Sequence, residues 1–257
     1  MAGFKPFSEK TAPRARLLEE VVTVASLGAV ATYLGLELAA VNQLLLPALQ
    51  VAAVYPFFFR HVRGGRLWVA ALTVLVWAVS VSLPVIAASY NSRGWASARV
   101  INGESYVKEM FEWIATGRGA EGDISLFLIP KLREVALFAA ATAASAGLLG
   151  LLMGAILLNY MNYYVGVLLA HAKPGYLLQV ALLSWQVYAV LRVVGYVFLG
   201  VALSRIAVLV FSQRRLVVED EARRLLLYAL VLIALDFVLK ATVANSVYQP
   251  LLKEFTG

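Results

Sequence analysis

Long stretches of this chain are almost wholly apolar, and they come in lengths that match a lipid bilayer. A helix of about twenty residues crosses ~30 Å of hydrocarbon. The first such run covers residues 21–40, the second 44–59 and the third 67–88. Glu37, Asn42 and Gln43 fall where a hairpin tip between the first two is expected. Pro47 and Pro56 predict a kink in the second run. Pro84 lies near the end of the third. Trp68 and Tyr90 bracket that run, as aromatic residues do at the two membrane interfaces.

A polar stretch, 89–133, follows and is the one sizeable extramembrane piece. Within it, ESYVKEMFEWIA (104–115) places Tyr106, Val107, Met110, Trp113 and Ile114 on one helical face. Lys108, Glu109 and Glu112 point elsewhere. The pattern predicts an amphipathic helix lying on the membrane surface or on the protein itself. The glycines of 117–122 predict a flexible turn.

The fourth apolar segment covers 134–158 and is rich in Ala and Gly. Gly150 and Gly154 form a GxxxG pair, with Gly147 on nearly the same face. Small residues at this spacing let helices approach closely in lipid. Packing within the chain is the plainer use of them, and a contact between copies is the other. The sequence NYMNYY (159–164) reads as a polar interruption. A short apolar piece, 165–170, then leads to His171 and a turn at 173–175. Residues 176–211 are apolar except for Gln179, Gln186, Arg192 and Arg205. At 1.5 Å per residue this run exceeds the bilayer by about half. It is therefore a long tilted helix or two elements meeting near 192–195. A charged linker, 213–224, precedes the last segment, 225–247.

Composition makes the class secure. Of 257 residues, 61% are hydrophobic and 14% charged, and the mean hydropathy is +0.80. Soluble domains carry roughly a quarter charged residues. The fold class is all-α: a polytopic integral membrane helical bundle of about six to seven spans. Residues 1–257 form one transmembrane domain, with 1–20 a cytoplasmic segment and 89–133 an extracytoplasmic loop. The first twenty residues lack the apolar core of a cleavable signal. The absence of cysteine excludes disulfides, thiolate zinc sites, iron–sulfur clusters and cysteine nucleophiles. A haem with paired axial histidines would need both His61 and His171. The Cys-free, Ala-, Leu-, Val- and Arg-rich composition suggests a thermophilic prokaryote.

The net charge of +7 follows the cytoplasmic excess of basic residues rather than nucleic-acid binding. Lys5, Lys10, Arg14 and Arg16 precede the first run, and Arg60, Arg63 and Arg66 follow the second. Arg214, Arg215, Arg223 and Arg224 lie in the late linker. Placing all three clusters inside the cell requires seven crossings. A re-entrant stretch over 159–186 would give six. The expected location is the plasma membrane, with the N-terminus cytoplasmic.

Candidate chemistry is sparse. Asp236 and Lys240 share one face near the middle of the last run, where charges are costly and pair or line a cavity. They read as a structural ion pair or as a proton or ion relay. Arg192 needs a partner, and Asp236 is better placed than Glu37. If Arg192 and Lys240 compete for Asp236, the surplus positive charge attracts an anion. Asn159, Asn162 and Gln186 are neutral polar groups at membrane depth. With Tyr160, Tyr163 and Tyr164 they fit an interface belt, and they could otherwise line a pathway. His171 beside Lys173 is expected at the membrane surface. Glu19-Glu20 lacks the downstream arginine of the double-glutamate intramembrane proteases. Glu219 and Glu221 read as an ordinary charged face. No serine elbow, HExxH or phosphate loop is present. No catalytic or metal site and no cofactor are expected.

Three pieces carry a resemblance: GLLGLLMG (147–154), MNYYVG (161–166) and GYVFLG (195–200). The region 143–203 resembles the stage II sporulation protein M-like membrane family. The family's usual His-Gly and Glu between the last spans are absent here; Ser184-Trp-Gln186 and Arg192 stand in that region. The resemblance implies a non-catalytic component of a membrane assembly. The expected function is thus a non-enzymatic membrane subunit or scaffold. Its partners would be lipids and either copies of itself or other membrane subunits. The rival is a transporter or channel, with a pathway at the 159–192 break and the charges of the last helix.

Overall fold

The computed structural model describes residues 13–214 and 216–257, with side chains from Arg16 onward. Lys5, Lys10 and Arg215 lie outside the described residues. Those residues are helical nearly throughout. Helices α1 (Pro13–Leu38), α2 (Leu45–Arg63) and α3 (Leu67–Asn91) pack on one another as an antiparallel trio. Short α4 (Arg93–Ser97) and amphipathic α5 (Gly103–Thr116) follow. Then come α6 (Ile124–Ala144), α7 (Leu148–Ala170), α8 (Leu177–Ser184) and α9 (Val187–Gln213). The chain finishes with α10 (Asp220–Val243), a π-helical turn (Ala244–Tyr248) and α11 (Gln249–Phe255). Among the described residues, six helical stretches are long and apolar enough to cross a membrane: 16–38, 45–63, 67–91, 148–170, 177–213 and 220–255. The chain is an all-helical, multi-pass membrane protein. Trp68 and Tyr90 are half-exposed near the two ends of α3, as interface residues should be.

Several boundaries differ from the sequence expectation. The apolar segment expected at 134–158 is two helices. Ala146 (φ 48°) and Gly147 (φ 95°) adopt left-handed backbone and break the run. The Ser145 hydroxyl, spent on the Leu149 amide at 2.9 Å, starts the next helix. Conversely, α7 runs unbroken through 159–164. Its polar residues are satisfied sideways rather than by breaking the backbone ladder. Asn159 exchanges two hydrogen bonds with Gln50 of α2, at 2.8 and 3.0 Å. Asn162 donates to Ser82 of α3 at 2.8 Å. Tyr163 and Tyr164 are buried against α5, so they form no interface belt. The 176–211 run does divide, but at Trp185-Gln186 rather than near 192–195.

Contacts define two ends of the bundle. At one, Arg205 donates to the carbonyls of Val62 and Arg63 (3.0 and 2.9 Å) and pairs with Glu219 at 2.6 Å. The α2–α3 turn and the α9–α10 linker therefore sit together. At the other end α5 lies across α7. Its face of Val107, Met110, Trp113 and Ile114 is buried on the protein, not laid on lipid. The last residues complete this end: Lys173 N donates to Phe255 O (2.9 Å) and Gly257 N to His171 O (3.1 Å). His171 is half-buried there, its ring 5.0 Å from Phe111. The helices α3 and α7 approach closely at Gly166. A Cβ there would collide with Ser89 and the Ile86 carbonyl.

The Asn159–Gln50 pair is fully buried, so removing one partner strands the other. Asn159→Leu or Gln50→Leu alone should lower stability by about 1–2 kcal/mol. The double variant should recover part of that loss. Thermal unfolding in detergent reads both.

Candidate functional site

The bundle encloses far more charge than the sequence suggests. Six ionisable side chains converge between α6, α9, α10 and the 117–123 turn, in the half of the bundle nearer α5. Three are basic (Lys131, Arg192, Lys240) and three acidic (Glu121, Glu134, Asp236). In an apolar interior each ion costs several kcal/mol unless another compensates it. The equal numbers make the cluster tolerable.

Lys240 does not pair with Asp236 along its own helix. It lies in the last turn of α10, and its Nζ donates to Glu121 Oε2 at 2.8 Å. It also sits 5.0 Å from the Phe127 ring. Glu121 arrives from the glycine turn, where Gly117 (φ 71°) and Gly119 (φ 139°) bend the chain inward. Burial works against its charge, but Lys240 and Arg192 outweigh that and hold its carboxyl below the usual range. The Tyr188 hydroxyl faces this carboxylate without closing a hydrogen bond.

Arg192 does meet Asp236, as expected. The closest approach is Nε to Oδ2 at 3.3 Å, outside hydrogen-bond geometry. Arg192 is 7% and Asp236 1% exposed. Arg192 Nε and both Asp236 oxygens make no hydrogen bond within the described residues. A guanidinium carries five donors in a fixed fork, so this pairing leaves most of them uncommitted. On α6, Lys131 pairs with Glu134 at 2.7 Å, and Glu134 accepts from Tyr196 of α9 at 2.8 Å.

Beside this cluster runs a crevice of about 730 Å³ of empty space, its open mouth included. It is bounded by α2, α3, α6, α7 and α9. Lys131, Glu134 and Arg192 close one end, with Tyr160 and Tyr196. The rest of the wall is apolar. The glycines of α7 are spent here. Gly150 lets Thr142 of α6 press against α7, and Gly147 leaves room for Phe58 and Ser204. At Gly154 a Cβ would meet no atom within 4 Å.

The other sequence candidates fall outside the site. Glu37 is exposed near the end of α1 and is no partner for Arg192. Asn159 and Asn162 serve packing between helices, as described. Gln186 is buried at the α8–α9 break, with an unbonded Nε2. Glu20, in the pair at 19–20, binds Arg60 at 2.6 Å and also contacts His61. Sequence reading missed Glu121, Lys131 and Glu134. The signal lay in LIPKLREVAL (128–137), charged residues flanked on both sides by apolar turns. No group of three or more metal-ligating side chains occurs among the described residues. No family model, curated protein or solved structure matches the chain.

Glu121→Gln should strip Lys240 of its counter-charge and cost about 3–5 kcal/mol at neutral pH. The sign with pH follows from the lowered carboxyl. Its contribution is complete above its ordinary value of 4.5 and is lost as pH falls below it. Unfolding measured from pH 7 downward should therefore show wild type and Glu121→Gln converging below about pH 4.5.

Proposed function

We propose that this chain is a non-enzymatic membrane transporter whose binding chamber is the crevice capped by Arg192. One observation carries the reading: a nine-tenths buried guanidinium, whose nearest counter-charge closes no hydrogen bond, at the end of a crevice inside a membrane bundle. Intramembrane ionisable residues mark ligand or ion pathways by default. The pathway differs from the one expected at 159–164, where α7 is continuous. It instead follows the α6–α7 break at 145–147 and the seam between α7 and α9. Gly147, in the turn that joins α6 and α7, lines the far end of the crevice.

The assembly-subunit reading draws on the glycine stripe, the scarcity of ionisable residues and the small soluble portion. Gly150 now packs inside the chain, and six ionisable groups share one site. Both observations favour transport. The resemblance to the stage II sporulation protein M-like family stands as a proposal beside it.

We take α6 as a seventh crossing, its charges shielded by α9 and α10. Seven crossings put Arg60, Arg63, Arg66, Arg214, Arg223 and Arg224 on one side. The excess of basic residues makes that side the cytoplasm. The plasma membrane, an inside N-terminus and an outside α5 follow.

Proteoliposomes challenged with chloride, phosphate or octanoate should give a current or uptake with at least one of them. Arg192→Gln should reduce it about tenfold or more, the worth of a charge-assisted hydrogen bond. No Arg192-dependent flux, with a stoichiometric membrane partner recovered in gentle detergent, would overturn the transport reading in favour of an assembly subunit.

A further inference from the structure

Resting on the chamber reading, the geometry points to the class of ligand: a single-chain amphiphile with an anionic headgroup, its head at Arg192 and its acyl chain along the α7–α9 seam. Three observations combine. First, the polar groups are confined to one end. Arg192, Lys131 and Glu134 line that end, and Asp236 lies behind Arg192 and not on the wall. A carboxylate or phosphate can add to the guanidinium fork, whose closest approach to Asp236 closes no hydrogen bond. Second, the remainder is long and apolar. From Arg192 to Ser204 the wall follows twelve residues of α9, about 18 Å at the helical rise. A small inorganic anion would leave this length unused. Third, the seam is held open by small residues. The helices α7 and α9 hardly touch each other, while each packs on α3 and α6. Gly154 and Gly200 face the gap. A side chain at Gly154 would project into open space, and one at Gly200 would press on the Phe138 ring, at 3.3 Å.

The rim fits entry from lipid. Leu157, Met161, Val193 and Val197 keep partial exposure along the crevice, and all four are apolar. An acyl chain could pass them without shedding water, while its head would meet the one charged end. Phe138 and Leu151 bound the crevice on either side of the seam. Ser204 and Gly147 close the far end, where the α6–α7 break narrows the space.

Trp77 lines the same crevice and is buried, so it reports on occupancy. The probe is 9,10-dibromostearate, whose bromines quench tryptophan on contact, added to the full chain in detergent. The expected result is a saturable quenching component that Trp77→Phe removes and that stearate or lysophosphatidate displaces. The better competitor identifies a carboxylate or a phosphate head. Gly154→Leu, which fills the seam at an unchanged or higher melting temperature, should abolish the component. The methyl ester of the probe, which lacks the charge, should bind wild type about tenfold more weakly. This comparison tests the headgroup without a variant that could misfold. Only unsaturable quenching in folded wild type, or undiminished binding to Gly154→Leu, would overturn the proposal, as would equal binding of acid and ester. If phosphate or chloride then still shifts the melting temperature in an Arg192-dependent way, the chamber stands and the amphiphile falls. If they do not, both fall.

Discussion

Everything in the second half of this bundle is arranged around the cost of keeping Arg192 ionised away from water. An isolated ion in an apolar interior is untenable, so counter-charges must be brought to it. Asp236 comes from α10 and packs that helix along α9, the most extensive helix pair in the molecule. Glu121 comes from a loop, and to reach inward it needs the left-handed glycines of the 117–123 turn. Its own partner, Lys240, then fixes the end of α10. One charge thereby specifies the placement of two helices and a connection.

The same constraint shapes the crevice. Lys131 and Glu134 would be ruinous on a lipid-facing α6. They face α9 and the charged cluster instead, with Tyr196 completing Glu134. Orienting α6 this way turns Thr142 toward α7, which only a glycine at 150 can receive. Gly154, one turn on, has nothing to receive and leaves a gap. The gap and the buried charge are thus two consequences of one packing solution. This is why a polar cap and an apolar slot occur together.

The apolar runs were legible because lipid demands them: five of the six long helices, all but α7, and the amphipathic face of α5 follow from hydropathy and period alone. The breaks were not. Polar residues at 159–164 looked like an interruption, but their amides pair across to Gln50 and Ser82, 109 and 80 residues away. The true break at 145–147 sits in a run of small apolar residues that hydropathy cannot divide. Its signal is the Ser-Ala-Gly sequence, in which the Ser145 hydroxyl accepts from the Leu149 amide and Ala146 and Gly147 take positive φ. The Arg192–Asp236 pairing was readable from depth. The Lys240–Glu121 pairing was not, because Glu121 lies in a glycine turn that reads as solvent-exposed.

Cysteine accessibility tests the central claim most directly, since the chain has no cysteine of its own. Val197→Cys places a thiol partway along the α9 wall of the crevice. In the folded protein it should react with a small membrane-permeant maleimide. Adding Gly154→Leu should suppress that reaction while leaving the fold intact. A thiol at 197 that stays unreactive in folded protein, or reacts equally with the seam filled, would mean that Arg192 caps a closed core and not a chamber.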